Sequence, residues 1–550
     1  ARVSYGAKCL EIDQGPLPVV EIQQLYDVII AGSGAAGTAA ALQLAGRNVL
    51  VLDVGFRALS AGDRLDSNLY ELKKEPESYF DELIGSRYES LHNIDHTYLM
   101  PKLKAPLMRF VTREAETLCP IRQRDFFAIA SFAMGGLANV WGAQLYRFND
   151  DELVKFPFGY SDLEPYYDLL TRHIGISGAA DDLARFFGPA DELLPPVKTG
   201  PLCENLYRRY KNNRSYFNRR GFYIGLPRLA VLTREYRGRP KYEYDNLEFF
   251  KPGNRAIYSP AYTLEELIAG GKIQYLPNYL VRRYEDSAGH AAVVAENLNT
   301  GKTERFEAKR VILALGPLNT AKLVLASNND FHTRLPFLDN LISYVPLLDF
   351  RMIGAKYNTR CLATQLSMIY HSGLPADKPV MCTFYTVAGV FHSDILFNLP
   401  LSVRGNILAA KYLFPALAIV QLWYPDKHEK ANNISLSFTG ELDIRYRDKK
   451  RGGIERRIIS AFRRFGYLGH ASLCDYPLPG NSFHYAGTLP MNAGSGEKYT
   501  TRSDGLLSGT ANIYIADASC FPSLPSKNLT MTTMANAMRI ADKIGRSLEG

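Results

Sequence analysis

The chain has 550 residues, 46% hydrophobic and 22% charged; this is enough for a large core in two or more packed lobes and too apolar for a disordered chain. Its net charge of +8 comes without a nucleic-acid-binding motif, so nucleic acid is not an expected partner. Seven cysteines, an odd number, include no C-x-x-C pair, which excludes a disulfide framework or zinc ribbon as the organising principle and points to a reducing compartment.

In chain order, Ala1-Arg2-Val3-Ser4-Tyr5 lacks the charged-then-apolar pattern of an export signal, so the cytoplasm is the expected location. Residues 26–55 read as a β-α-β unit: an apolar strand over 26–31, a small-residue helix over 35–44 and a second strand over 48–54. The turn between them is Gly32-Ser33-Gly34-Ala35-Ala36-Gly37. Gly32 serves the tight turn, Gly34 admits a pyrophosphate to the backbone, and Gly37 lets helix and strand pack closely. Ala35 and Ala36 open the helix, whose free N–H groups and dipole favour phosphate. Asp53 ends the second strand, where an acid accepts hydrogen bonds from an adenosine ribose. The motif predicts a bound dinucleotide and does not separate FAD from NAD.

His92 and His96 lack acidic or cysteine company at ligand spacing, so no metal is expected. Residues 126–147 hold a second glycine turn, with Gly135, Gly136 and Asn139, inside an apolar segment. Ser161-Asp162-Leu163-Glu164 is a capping-box pattern that opens a helix. Basic residues gather at Arg208, Arg209, Lys211, Arg214, Arg219 and Arg220, and again from Arg445 to Arg464. Solvated faces are the default reading, and an anionic substrate is the alternative. Asn299-Thr300-Gly301-Lys302 reads as a hairpin turn, and Arg310 to Leu315 as a buried strand ending in Gly316. No apolar run is long enough to span a membrane. The nearest, Gly405 to Pro425, is interrupted by Lys411 and Pro415; it is expected to be buried, with contact to a membrane surface or an apolar substrate as the alternative. A helix is expected over 454–465, a strand over 511–517 and a final helix over 529–548. The 34 tyrosines and 28 phenylalanines fit core packing or an aromatic-walled pocket.

Several of these segments together resemble the glucose-methanol-choline (GMC) oxidoreductases. The likeness rests on the Gly32–Gly37 turn, Gly135-Gly136-Leu137-Ala138-Asn139, Val311-Ile312-Leu313-Ala314-Leu315-Gly316, His484-Tyr485-Ala486-Gly487-Thr488, Asn512-Ile513-Tyr514-Ile515-Ala516-Asp517-Ala518-Ser519, and Asn528-Leu529-Thr530. They occur in the family's order across residues 26–548. Phe158 to Tyr167 also resembles a stretch of bacterial sugar-oxidising members. The likeness is weak over 180–240 and 331–475.

The resemblance implies an α/β fold, with a FAD-binding Rossmann-like domain and an interleaved α+β substrate-binding domain. The FAD-binding parts would be 22–150, 241–330 and 481–550; the substrate side would be 151–240 and 331–480. Gly135, Gly136 and Asn139 would lie along the flavin, and Asp517 with Ala518 at the ribityl hydroxyls. Leu529 and Thr530 would start a helix aimed at the pyrimidine ring, stabilising the reduced anion. His484 would take the proton of an alcohol whose hydride passes to flavin N5, a role that suits an imidazole. Asn528 would hold the substrate oxygen, with helix capping as its alternative role and Lys527 as its alternative in the site. Some relatives attach FAD covalently through a histidine near the glycine pair. Here Ala138, Val140 and Trp141 flank Asn139, so non-covalent FAD is expected. The expected reaction is oxidation of a primary or secondary alcohol, with a sugar or sugar-like natural product as the narrower reading. The electron acceptor stays open between oxygen and another oxidant. A non-redox flavin lyase and a non-catalytic FAD-fold binding protein are the rival readings.

Overall fold

Strands buried on both faces are apolar without alternation, and Tyr26–Ala31 is of this kind. It pairs in parallel with Val49–Leu52 on one side and with the second half of Thr303–Leu313 on the other. Gln274–Leu276 extends the sheet beyond Val49–Leu52, and Ile513–Ile515 lies parallel to residues 311–313. The first half of Thr303–Leu313 continues the same sheet as an antiparallel meander with His290–Asn297 and Tyr279–Ser287. One eleven-residue strand thus joins the parallel and antiparallel halves of a seven-stranded sheet. The chain is seen in a computed structural model that describes residues 25–58, 69–72, 74, 77, 80–85, 89–90, 101–250, 255–356, 360–374, 378–387, 401–492 and 497–549. The N-terminal residues, Cys9, His92 and His96 lie outside these.

A second sheet has six antiparallel strands: Tyr467–Leu468, Ile342–Asp349, Leu417–Trp423, Val380–Thr386, Thr364–Tyr370 and Phe222–Gly225, in that order. Side chains alternate across it with the period of two that a pleated strand imposes. Val345, Leu347, Val420, Leu422 and Phe384 face one way, into a core shared with the helices Pro201–Asn212 and Gly453–Arg463. Tyr344, Pro346, Ile419, Gln421, Trp423 and Tyr385 border a large cavity between this sheet and the first. The architecture is mixed α/β, as expected.

The expected helices form at Ala35–Gln43, Tyr160–Ile174, Gly453–Arg463 and Thr530–Ser547. Two local expectations differ. The helix at Tyr160 is capped from Gly159 rather than Ser161: the Gly159 N–H donates to the Asp162 carboxylate at 2.9 Å, so the reciprocal arm of a capping box works without a side chain at the cap itself. Residues 405–425 are not one buried element. Pro415 ends the helical path, leaving a surface helix Val403–Tyr412, a short turn Phe414–Ala416 and the largely buried strand Leu417–Trp423. Among the described residues no helix is long and apolar enough to cross a membrane.

The alanine-rich helix Ala35–Gln43 packs against Thr530–Ser547 and Pro260–Ala269. Its approach to the first strand is set by two glycines. A Cβ at Gly37 would stand 1.9 Å from the carbonyl oxygen of Gly32. A Cβ at Gly32, whose φ is +97°, would stand 2.6 Å from the carbonyl oxygen of Ala314. Backbone cannot yield as a flexible side chain can, so Gly37→Ala is expected to lower the unfolding free energy by about 1–3 kcal/mol, the usual cost of overpacking. Urea denaturation measures this, and an unchanged midpoint would contradict the packing.

Candidate active site

The cavity has a volume of about 930 Å³ and runs between the two sheets. Gly32, Gly34, Ala35, Ala36, Asp53, Gly135, Gly136, Asp517, Ala518, Asn528, Leu529, Thr530 and His484 all line it. Gly37 and Asn139 do not. Gly37 is spent on helix–strand contact. The Asn139 amide folds its own turn: Nδ2 donates to the carbonyls of Met134 at 2.9 Å and Gly136 at 2.8 Å, while Oδ1 accepts from Ser259 Oγ at 2.8 Å. Asn139 thereby holds the turn of Gly135 and Gly136, both at positive φ, against the cavity.

At one end stands Asp53. It accepts from the Ser33 hydroxyl and, at 3.4 Å, from the Tyr275 hydroxyl. Burial pushes its carboxyl up to about 7, against the opposing pull of these hydrogen bonds. A buried acid of this kind gains from further donors. A Cβ at Gly34 would meet nothing within 4 Å, so space stays open beside the backbone where the turn enters its helix. Three helices begin on this cavity without a side-chain cap, at Gly34, Gly316 and Leu529. Their N-terminal dipoles make it hospitable to negative charge. Asp517 is already engaged by three donors, Thr320 Oγ1 at 2.6 Å and the amides of Gly316 and Ser519 at 2.8 Å each; it clamps the Gly316 turn as well as lining the cavity.

At the other end, His484 follows Phe483, a bulky residue held in the left-handed region at φ +59°. Such a backbone needs support from its surroundings. Asp339 supplies it, accepting from Ser482 Oγ at 2.6 Å and from the Gly480 amide at 2.7 Å, while the His484 amide donates to Ser482 Oγ at 3.0 Å. The imidazole Nδ1 lies 2.9 Å from Asn340 Oδ1. Asn340 is itself oriented, because its Nδ2 donates to the carbonyls of Tyr424 at 2.7 Å and Pro525 at 3.1 Å. Its oxygen therefore faces the ring, which assigns the proton to Nδ1 and leaves the lone pair on Nε2. Burial lowers the imidazole to about 4, so the ring is neutral near pH 7 and its free nitrogen is available to accept a proton. Trp423 lies nearly parallel to it, centroids 6.4 Å apart.

Asn528 Nδ2 stands 3.3 Å from His484 Nε2, and Asn528 Oδ1 is buried without a partner. Asn528 does not cap the following helix; that position falls to Leu529. Lys527 points away from the cavity, pairing with Glu152 at 2.5 Å and donating to the carbonyls of Arg147, at 2.9 Å, and Phe186. Asn340, Trp423 and the polar wall of Gln144, Tyr344, Tyr385 and Gln421 are absent from the expected set. None sits in a local motif, and the strand Leu417–Trp423 carries one polar residue, Gln421, too few to mark a two-sided strand by alternation. Neither basic cluster lines the cavity, and Arg209, Arg214, Arg445 and Arg451 sit in ion pairs.

Residues 476–537, which carry His484, Asp517 and Asn528, match the sequence profile of the GMC oxidoreductase C-terminal region. No curated protein sequence matches the chain. Solved structures share its fold along nearly its whole length. Pyridoxine 4-oxidase from Mesorbium loti superposes with a TM-score of 0.53 at 13% identity, covering 95% of this chain and 99% of the other. A variant of formate oxidase from Aspergillus oryzae RIB40, bearing on FAD modification in that enzyme, gives 0.57 at 13% identity, covering 96% and 100%. The C-terminal segment thus carries the GMC oxidoreductase profile, and the chain as a whole shares the fold of these two oxidases.

Proposed function

We propose that the protein oxidises a primary or secondary alcohol at the end of the cavity where His484 and Asn528 converge. The 3.3 Å approach of Asn528 Nδ2 to His484 Nε2 is the observation that carries this reading: a hydroxyl placed against both, at the apex of the triangle they form, can donate its proton to one and accept a hydrogen bond from the other. The residues present fit FAD. Asp53 offers a buried acceptor at the far end, Gly34 leaves open room at a helix start, and the orphaned Oδ1 of Asn528 awaits a donor. FAD held there supplies the acceptor for the carbon-bound hydrogen and its two electrons. Asn340 keeps Nδ1 protonated, so Nε2 receives the hydroxyl proton. Asn528 steadies the oxygen as that proton leaves, and the uncapped helix start at Leu529 favours negative charge nearby.

On this side of the cavity Trp423, Tyr344 and the amide of Gln421, from the six-stranded sheet, are joined by the amide of Gln144. Glu248 and Asp475 also border the cavity, whereas its two basic lining residues, Arg282 and Lys322, belong to the seven-stranded sheet's side. This distribution favours a neutral polyhydroxylated ring, which takes amide hydrogen bonds and aromatic contact, over an anionic substrate. The flanks of the Gly135–Gly136 turn offer no nucleophilic side chain at Ala138, Val140 or Trp141, which supports FAD held without a covalent bond.

His484→Ala is expected to retain FAD but to slow anaerobic flavin reduction by alcohol about a hundredfold to ten-thousandfold, the worth of a general base. Stopped-flow absorbance reads this directly, and an unchanged rate would remove His484 from the chemistry. Protonation of Nε2 abolishes its function, so activity falls as pH drops through the pKa of His484. Because burial lowers that pKa toward about 4, the acid limb of kcat/KM should lie well below the ordinary imidazole value of about 6.5; a limb at or above that value would refute a desolvated base. Acid precipitation should leave the yellow chromophore in the supernatant, and colour fixed to the pellet would show a covalent link.

A further inference from the structure

Among the described residues, eight of the fifteen exposed large apolar side chains fall on two neighbouring segments. Phe350 and Ile353 lie on the turn that follows Ile342–Asp349. The others lie between Leu401 and Leu413, in and beside the helix Val403–Tyr412, with Val403 79% and Ile407 61% exposed. The segments meet where the Gly354 amide donates to the Tyr412 carbonyl at 2.8 Å. Ala409 is the helix's one buried residue. A ten-residue helix is marginal alone in water, and helices are ordinarily held by burying an apolar face. This one shows its apolar side chains to solvent.

Charge identifies what covers it. Residues 350–360 and 401–416 contain five Lys or Arg and no Asp or Glu, with Arg351 paired to Asp349 just before them. Arg404 and Lys411 share the helix face of Ile407, since positions three and four apart stack along one side. Against a second copy of the chain, this face would oppose cations to cations. Against an anionic bilayer, the apolar side chains enter the acyl boundary while the cations meet the headgroups. Beside the patch, Met352, Lys356, Phe414 and Pro415 line a small cleft together with Thr386 and Val387, which also border the large cavity.

We propose that the face built from Phe350–Ile353 and the helix Val403–Tyr412 docks the protein on an anionic lipid surface, with the Thr386 and Val387 wall of the cavity beside the membrane. The FAD-loaded full chain should float with phosphatidylcholine vesicles containing phosphatidylglycerol and partition less onto vesicles of phosphatidylcholine alone. Arg404→Ala with Lys411→Ala should weaken partitioning roughly thirty-fold, from about one exposed cation's worth of headgroup attraction each. Ile407→Asp should weaken it further, while thermal melting stays unchanged because these side chains support no core. Flotation reads no catalysis, so its result stands apart from the assignment of the reaction. Failure of the parent chain to float, or equal flotation of the doubly substituted chain, overturns the proposal. So does an Ile407→Asp variant that dissolves a dimer without altering flotation, which would give the face to a second copy.

Discussion

Parallel strand pairing is the constraint on which the site depends. Ala31 lies in register with Leu52 and with Leu313, and Leu313 with Ile515. Four strands therefore end on one edge, and each is followed by a residue or turn that borders the cavity: Gly32, Asp53, the Ala314–Gly316 turn and Asp517. Hydrogen-bond register, rather than sequence proximity, brings these positions together, and the carboxyl edge of such a sheet is where open α/β folds place their ligands.

The two sheets divide the chemistry between them. The first offers glycine backbone, uncapped helix starts and buried carboxyls, a set suited to phosphates and sugar hydroxyls. The second offers one pleated face of aromatic and amide side chains while its other face is committed to a packed core with Pro201–Asn212 and Gly453–Arg463. His484 stands at the junction. Its turn is pinned by Asp339 and its ring by Asn340, neighbours in the chain that lie just before the strand Ile342–Asp349. One short segment of the second sheet's approach thus sets both the backbone and the tautomer of a residue carried by the C-terminal segment.

The legibility of these features from sequence followed their locality. The β-α-β unit at the glycine turn is readable because strand period, helix composition and glycine spacing all lie within thirty residues and agree with one another. The strand ending at Gly316 and the helix at Thr530–Ser547 are readable for the same reason. Asn340 is not, since it meets His484 across 144 residues and has no motif of its own. Helix caps are less legible, for one physical cause. Hydroxyl and amide side chains near a helix start have several possible partners, and tertiary contacts decided between them: Asn528 turned to the imidazole, and Ser161 gave way to a glycine cap closed by Asp162. In the run 405–425, Lys411 and Pro415 mark interruptions, but hydropathy does not distinguish an apolar side chain in a core from one on a surface helix.

Lys527 carries a consequence for fidelity at the site. Its ammonium is locked into a dry compartment by Glu152 and two carbonyls, and a buried charge pair separates only at considerable energy. The next residue, Asn528, therefore hangs from a fixed peg. A slip of one position would bring a cation up to the hydroxyl and strand a carboxylate in the interior. The chain is protected against that misalignment by the high penalty of withdrawing the peg, so a neutral amide is what meets the imidazole each time the protein folds.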